Sequence, residues 1–187
     1  MSAVKPDSLA LLPMLDELKQ RFPDSPHDLL IVVSATRQQL ILIKNHKVIS
    51  SYSISTAEAG LGNLSGSFKT PLGVHKIDEK IGEGAELGTI FKARKNTQKI
   101  VKILKKPDEK SDGDYITSRI LRLSGMEQGV NAGGNVDSHD RYIYIHGTDE
   151  EGRLGTPASH GCVRMGNQEI IDLFDQVEVG TLVNIVE

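Results

Sequence analysis

The apolar positions of this chain change their period several times from one end to the other, and each change predicts an element. Leu9, Leu12, Leu15, Leu18 and Phe22 recur at three- or four-residue steps, the stripe of a short amphipathic packing or docking helix ending near Pro23. From Leu29 to Val33 and from Gln39 to Lys44 the chain is apolar and β-branched, and Asn45-His46 separates the second run from Val48-Ile49, which predicts a β-meander with a tight hairpin. Gly60, Gly62, Gly66 and Gly73, interleaved with Ser65, Ser67 and Pro71, predict a long irregular loop leading into a strand near Val74. Residues 82–114 mix glycine and charge with little period, and turn signals at 106–108 and 111–113 suggest a mobile flap.

Further strands are expected over Ile116–Leu123 and Tyr142–Ile145, joined by a Gly- and Asn-rich stretch from Gly125 to Asp140. Within Arg141-Tyr142-Ile143-Tyr144-Ile145-His146 a period of two puts Tyr142, Tyr144 and His146 on one face, with His146 at the strand end. Asn167 is expected to N-cap a helix over Gln168–Val177 that turns Ile170, Ile171 and Phe174 inward, Gly180 to end it, and Leu182–Val186 to form a last strand. The fold class is mostly β: one domain over residues 29–187, preceded by a helical extension over 1–28.

Composition narrows the classes. The length of 187 residues suits a single core that folds without metals or disulfides, and hydrophobic and charged fractions of 38% and 25% exclude disorder. With a net charge of -3 and scattered basic residues, nucleic acid is not an expected partner, and the short cluster Lys102, Lys105, Lys106 reads as a solvated surface. The single Cys cannot form an intramolecular disulfide. The first 22 residues lack the apolar core of a secretory signal and no later run is long enough to span a membrane, so a cytoplasmic, membrane-free protein is expected.

Candidate chemistry concentrates near the C-terminus. His146-Gly147-Thr148 is followed by Ser159-His160-Gly161-Cys162-Val163-Arg164-Met165, which together hold two of the six His and the only Cys. A thiol attacks carbonyls as thiolate, so a catalytic Cys needs a base nearby, and His146 and His160 both qualify. His146, aimed by a strand end, is the expected base for Cys162. Backbone N–H groups of Gly161 and Cys162 could hold an oxyanion, and Arg164 could pair with a substrate carboxylate or lower the thiol pKa.

These residues resemble the L,D-transpeptidase catalytic domain, or YkuD-type domain, whose hallmark is His-Gly, a spacer, and Ser/Thr-His-Gly-Cys followed by an apolar residue and Arg or Asn. Here it reads HGTDEEGRLGTPASHGCVRM, and upstream Thr70-Pro71-Leu72-Gly73-Val74-His75-Lys76-Ile77 is similar to the family's Thr-Pro-x-Gly-x-x-x-Ile element. The resemblance covers roughly residues 29–186. It implies an L,D-transpeptidase-like β-sandwich with a helix near each end, Cys162 as nucleophile, His146 as base, and the Gly147 carbonyl as the group orienting that His. Ser159, His160, Gly161 and Arg164 map to the substrate pocket. The implied substrate is a murein stem tetrapeptide, free or in nucleotide-linked or sugar-linked form, cleaved before its terminal D-Ala through a Cys thioester and without cofactor or metal. Water as acceptor makes an L,D-carboxypeptidase of murein recycling; an amine from a second stem makes a 3-3 cross-linking transpeptidase. The absence of a signal or wall-binding module from the sequence points to the former.

Two readings of other classes compete. His139, His146, His160 and Cys162 could surround Zn²⁺, although only the last two are close in sequence. A catalytically silent peptidoglycan-binding module is the other. Tyr142 and Tyr144 could stack on sugars, but on a strand they read as sheet packing.

Overall fold

The computed structural model describes residues 8–187. Helix α1 (Ser8–Arg21) precedes the meander β1 (Leu29–Ser34), β2 (Gln39–Lys44) and β3 (Lys47–Ser55). Then come β4 (Gly73–Ile81), the hairpin β5 (Thr89–Lys92) and β6 (Lys95–Ile100), β7 (Ile116–Gly125), β8 (Tyr144–Gly147), β9 (Val163–Met165), α2 (Asn167–Gln176) and β10 (Leu182–Val186). The strands form one sheet in the order β4-β10-β1-β2-β3-β9-β8-β7, which closes on itself because β4 also pairs with β7, and the β5–β6 hairpin hangs from β7. The mostly-β class holds; the two layers expected of a sandwich are continuous at both edges, so those eight strands leave no unpaired side.

Alternation along each strand separates an inner face from an outer one. Ile31, Val33, Leu40, Leu42, Ile145, Val163 and Met165 meet inside, joined by Ile170, Leu173 and Phe174 of α2. Leu30, Val32, Ile41 and Ile43 face out and are covered by Leu11, Leu15 and Leu18 of α1. Both faces of β1 and β2 are therefore buried, which is why these strands read as unbroken apolar runs. The N-terminal helix packs as expected, with one shift: its covering stripe is Leu11, Leu15 and Leu18, Leu12 is 47% exposed, and the side chain of Leu9 lies outside the described residues.

Several local expectations are corrected. The stretch 82–114 holds the β5–β6 hairpin, turned at Ala93 and Arg94 with φ of 47° and 65°, the same two-residue left-handed turn that Asn45 and His46 make between β2 and β3. Beyond β6 the chain is tied down rather than loose: Leu104 N donates to Asp149 O at 2.7 Å, and Gly152 N donates to Leu104 O at 2.9 Å. Tyr142 has φ of 56° and lies before β8, so it is 54% exposed and does not share a strand face with Tyr144. Asn167 does not cap α2. Its side chain is fully buried, Oδ1 accepting from Thr117 and Ser118 hydroxyls and Nδ2 donating to Thr148 O and Glu151. The helix ends at Gln176, before Gly180, whose φ of 95° serves the turn into β10.

Candidate active site

Strands β8 and β9 are parallel neighbours, with Ile145 beside Val163 and His146 beside Arg164. A parallel pair requires a long crossover, supplied here by residues 148–162, and that crossover returns Cys162 to the edge of the sheet one residue before β9. Ile145 and Val163 point into the core. By alternation Tyr144, His146, Cys162 and Arg164 therefore project to the outer face, where Cys162 packs beside Phe91, Ile120 and Tyr144. The sheet thus joins two segments of the motif that are distant along the chain.

His146 is 1% exposed. Its Nδ1 lies 2.6 Å from Gly147 O, and since a carbonyl only accepts, Nδ1 carries the proton and Nε2 presents a lone pair. Burial, only partly offset by Asp114 and the Gly147 carbonyl and reinforced by Arg164, pushes the ring down to about 4. Gly147 is required here because a Cβ would lie 2.5 Å from Thr117 O of the adjoining strand β7.

The Cys162 sulfur accepts from Tyr144 N and donates to Tyr142 O, each at 3.4 Å. Burial pushes its thiol up to about 12, with Asp114 adding to the rise while the Tyr144 N–H, Arg164 and Arg141 oppose it. The resting pair is neutral thiol and neutral imidazole, and no hydrogen bond joins them among the described residues. Transfer of the thiol proton to Nε2 requires the S–H to leave Tyr142 O.

The turn before Cys162 is held by Ser159, whose Oγ donates to Cys162 O at 2.5 Å and accepts from Gly161 N at 3.2 Å. Ser159 is 2% exposed, so it braces the Cys162 loop rather than facing a pocket. Gly161 has φ of 136°, a conformation that L side chains rarely adopt, and Thr70 Oγ1 donates to its carbonyl at 2.9 Å. This is the contact that ties the Thr-Pro segment to the Cys loop. Because Gly161 N is taken by Ser159, the Cys162 N–H is the better oxyanion donor of the two expected.

Arg164 does not face a substrate carboxylate. Its side chain is 4% exposed and bridges Asp114 at 2.6 Å and Glu150 at 2.9 Å; Glu150 also takes Arg153 at 3.0 Å. Asp114 in turn accepts from His160 Nδ1 at 2.8 Å. Arg164 and His160 are thereby joined through a residue outside the motif, as are the loop before β7 and strand β9. Asp114 and Glu150 were missed in the sequence because each is an ordinary acidic residue in a polar stretch, and only the sheet brings them to Arg164.

His160 remains exposed and stands between two clefts. One, of ≈ 290 Å³, is lined by Ser65, Phe68, Arg141, Tyr142 and His160 among others; the other, of ≈ 280 Å³, by Glu58, Asp112, Asp114, Glu150 and His160 among others. Phe68 is 64% exposed and meets the His160 ring edge-on at 6.5 Å. The zinc reading is not supported by geometry: among the described residues the one group able to converge on a cation is Asp137, His139 and Asp140, which contains none of His146, His160 and Cys162.

A thiol one residue ahead of β9 shares the outer face of a closed β sheet with an imidazole whose Nδ1 is fixed by a backbone carbonyl, and these are the group types that thiol acyl-transfer chemistry requires. The chain belongs to the YkuD family of L,D-transpeptidase catalytic domains, whose family model matches residues 28–185. It is 29% identical to YqjB of Bacillus subtilis, a protein named for the L,D-transpeptidases, over 87% of this chain and 73% of that one. YbiS of Escherichia coli, also named for them, is 45% identical over 47 residues, which are 25% of this chain and 15% of that protein. Among solved structures, an L,D-transpeptidase from Mycobacterium smegmatis superposes with a TM-score of 0.54 at 19% identity, over 86% of this chain and 59% of that one. L,D-transpeptidase 3 from Mycobacterium tuberculosis, in complex with a faropenem-derived adduct, gives 0.54 at 15% identity over 86% and 60%. These two likenesses show the fold, and the chain spans about three fifths of each of those structures.

Proposed function

We propose that the protein is a cysteine acyl-transfer enzyme that cleaves the L,D bond before the terminal D-Ala of peptidoglycan stem tetrapeptides, with water as acceptor, an L,D-carboxypeptidase. The observation that carries the reading is the Nδ1–H of His146 donating to Gly147 O, which leaves Nε2 free on the face that carries Cys162. In this scheme Nε2 takes the Sγ proton as sulfur bonds to the carbonyl carbon. The tetrahedral intermediate then collapses, the C–N bond breaks, and the D-Ala amine leaves with the proton from Nε2. Water attacks the thioester with His146 again as base, releasing a tripeptide carboxylate and the thiol. The Gly147 carbonyl strengthens its bond to Nδ1–H when the ring becomes charged, so it stabilises the transition state more than the resting state.

Both clefts are bordered by His160, two residues before Cys162 in the chain. A second reading, with an amine acceptor from another stem forming a 3-3 cross-link, is favoured by the carboxylates of Glu58 and Asp112 in one cleft, which would attract an ammonium. The test is mass spectrometry of protein incubated with stem tetrapeptide, with and without excess amine, alongside Cys162→Ala. Tripeptide and free D-Ala without amine, absent in the variant, are expected. A joined product dominating when amine is present would move the assignment to transpeptidase, and unaltered turnover by Cys162→Ala would overturn the mechanism. The cytoplasmic location expected from the sequence is a proposal of the same kind, tested by cell fractionation.

A further inference from the structure

The substrate-facing charge expected of Arg164 is found instead at Arg141. Its side chain is half-buried and held by three backbone carbonyls of the glycine-rich loop, Nη1 donating to Gly62 O at 3.3 Å and Asn63 O at 3.1 Å, and Nη2 to Lys69 O at 2.6 Å. Nε donates to none of them, so the guanidinium is fixed in place with donors to spare. Carbonyls orient a cation without cancelling its charge. Arg21, Arg122, Arg153 and Arg164 each meet a carboxylate, whereas Arg141 meets none among the described residues.

Arg141 lines the ≈ 290 Å³ cleft beside His160, and two separate contacts set that cleft next to Cys162. The carbonyl of Tyr142, which also lines it, accepts from Cys162 Sγ at 3.4 Å. Lys69 O, the acceptor of Arg141 Nη2, lies 3.5 Å from where a Cβ on Gly161 would stand. Nη2 is therefore at most about 12 Å from the Cα of Cys162. A cysteine side chain, the carbonyl it attacks, one leaving residue of at most about 3.6 Å and a hydrogen bond span a similar distance. The cleft walls carry Phe68 and Tyr142, 64% and 54% exposed, both with left-handed backbone at φ of 57° and 56°, a geometry rare for bulky side chains and kept where it shapes a site. Rings there shield an ion pair from water and so strengthen it. Asp140 also lines the cleft, 80% exposed and 3.5 Å from His139. On the other side of His160 the second cleft is acidic, with Glu58, Asp112, Asp114 and Glu150, so a carboxylate is drawn to the Arg141 side.

We propose that Arg141 binds the free carboxylate of the terminal D-Ala, so that the leaving residue occupies the cleft between Phe68 and Tyr142 and the enzyme selects peptides by their charged C-terminal end. The inference rests on the peptidase reading, whose leaving side it assigns, and its test separates the two. The kcat/KM is measured for a stem tetrapeptide with a free C-terminus and for its C-terminal amide, in wild type, Arg141→Gln and Arg141→Lys. The wild type is expected to favour the acid by about tenfold to a hundredfold, the range that one charge-assisted hydrogen-bonded contact supplies. In Arg141→Gln the acid-to-amide ratio should fall to about 1, and Arg141→Lys should keep part of it, since charge remains while the planar fork is lost. Arg141 also pins the loop, so absolute rates fall in both variants. A purely structural role would lower acid and amide together and leave their ratio unchanged.

Calorimetric binding of the same acid and amide to Cys162→Ala protein, with and without Arg141→Gln, is measured in parallel. If neither peptide is turned over, the peptidase reading fails and binding decides: acid-selective binding abolished by Arg141→Gln supports the carboxylate site, and binding blind to the carboxylate overturns it. Where turnover occurs, an acid-to-amide ratio near 1 in the wild type, or a preference that survives Arg141→Gln, overturns the assignment.

Discussion

Replacing Asp114 with Asn removes one charge from the network behind Cys162 while nearly keeping its shape. In the wild type Arg164 is 4% exposed and balanced by two carboxylates, Asp114 at 2.6 Å and Glu150 at 2.9 Å, and its Nε has no partner. Glu150 is shared with Arg153, so the group holds two guanidinium charges against two carboxylates. Asp114→Asn leaves an uncompensated positive charge. Breaking a fully buried pair destabilises by about 3–5 kcal/mol, but the Asp114 side chain is 37% exposed and Glu150 remains, so roughly 1–3 kcal/mol is expected. For a domain of this size that lowers Tm by roughly 3–10 °C.

The same change lowers the proton affinity of both His146 and Cys162. Asp114 raises both His146 and Cys162, so its loss makes the imidazole a weaker base and the thiol more acidic. Alkylation of Cys162 by iodoacetamide should therefore speed up, while the acid limb of kcat/KM for a stem tetrapeptide moves further down. Thermal melting, a pH series of turnover and the alkylation rate test the three effects separately. An unchanged Tm together with an unchanged alkylation rate would refute the role given to Asp114, because it would mean that water already neutralises Arg164.

In the wild type the thiol held near 12 should react with iodoacetamide at pH 8 more slowly than a free cysteine, and denaturation should restore the ordinary rate. Stability should fall on acidification: His75 and His146 are both buried and lowered to about 4, so their contribution is complete above the unfolded pKa of 6.5 and lost as pH falls toward 4, roughly 3 kcal/mol for each. Urea melts at pH 7 and pH 4.5 measure it, and equal midpoints would contradict the burial of the two rings. Gly147→Ala forces a methyl group to within 2.5 Å of Thr117 O, so β7 and β8 must separate; about 2–4 kcal/mol of destabilisation and loss of turnover are expected from melts and assays. A variant as stable and active as the wild type would show that the backbone there yields easily.

Much of the fold could be read along the chain because its signals are local. The unbroken apolar runs of β1 and β2 marked strands buried on both faces, and Asn45-His46 marked a two-residue turn that the backbone does make. Asn167 misled because Asn before an apolar helix usually caps it, whereas here the side chain is drawn into a buried network with Thr117 and Ser118 that no local pattern announces. The β5–β6 hairpin escaped because its strands are short and β6 is almost wholly exposed, leaving no alternation to detect. Tyr142 was placed on a strand because its left-handed backbone cannot be read from a tyrosine.

The sequence by itself determined the chemistry on offer: one thiol, two histidines close to it in the motif, and glycines where strands and loops come too close for a side chain. The tertiary structure decided how those groups are used. Parallel pairing of β8 with β9 sets Cys162 and His146 on one outer face, and burial there holds thiol and imidazole uncharged at rest. It also turned Arg164 from a candidate substrate contact into a buried tie between Asp114 and Glu150. The physical reason is that proton affinity and ion pairing depend on desolvation and on charges a few ångströms away, and such neighbours come from segments far apart in the chain.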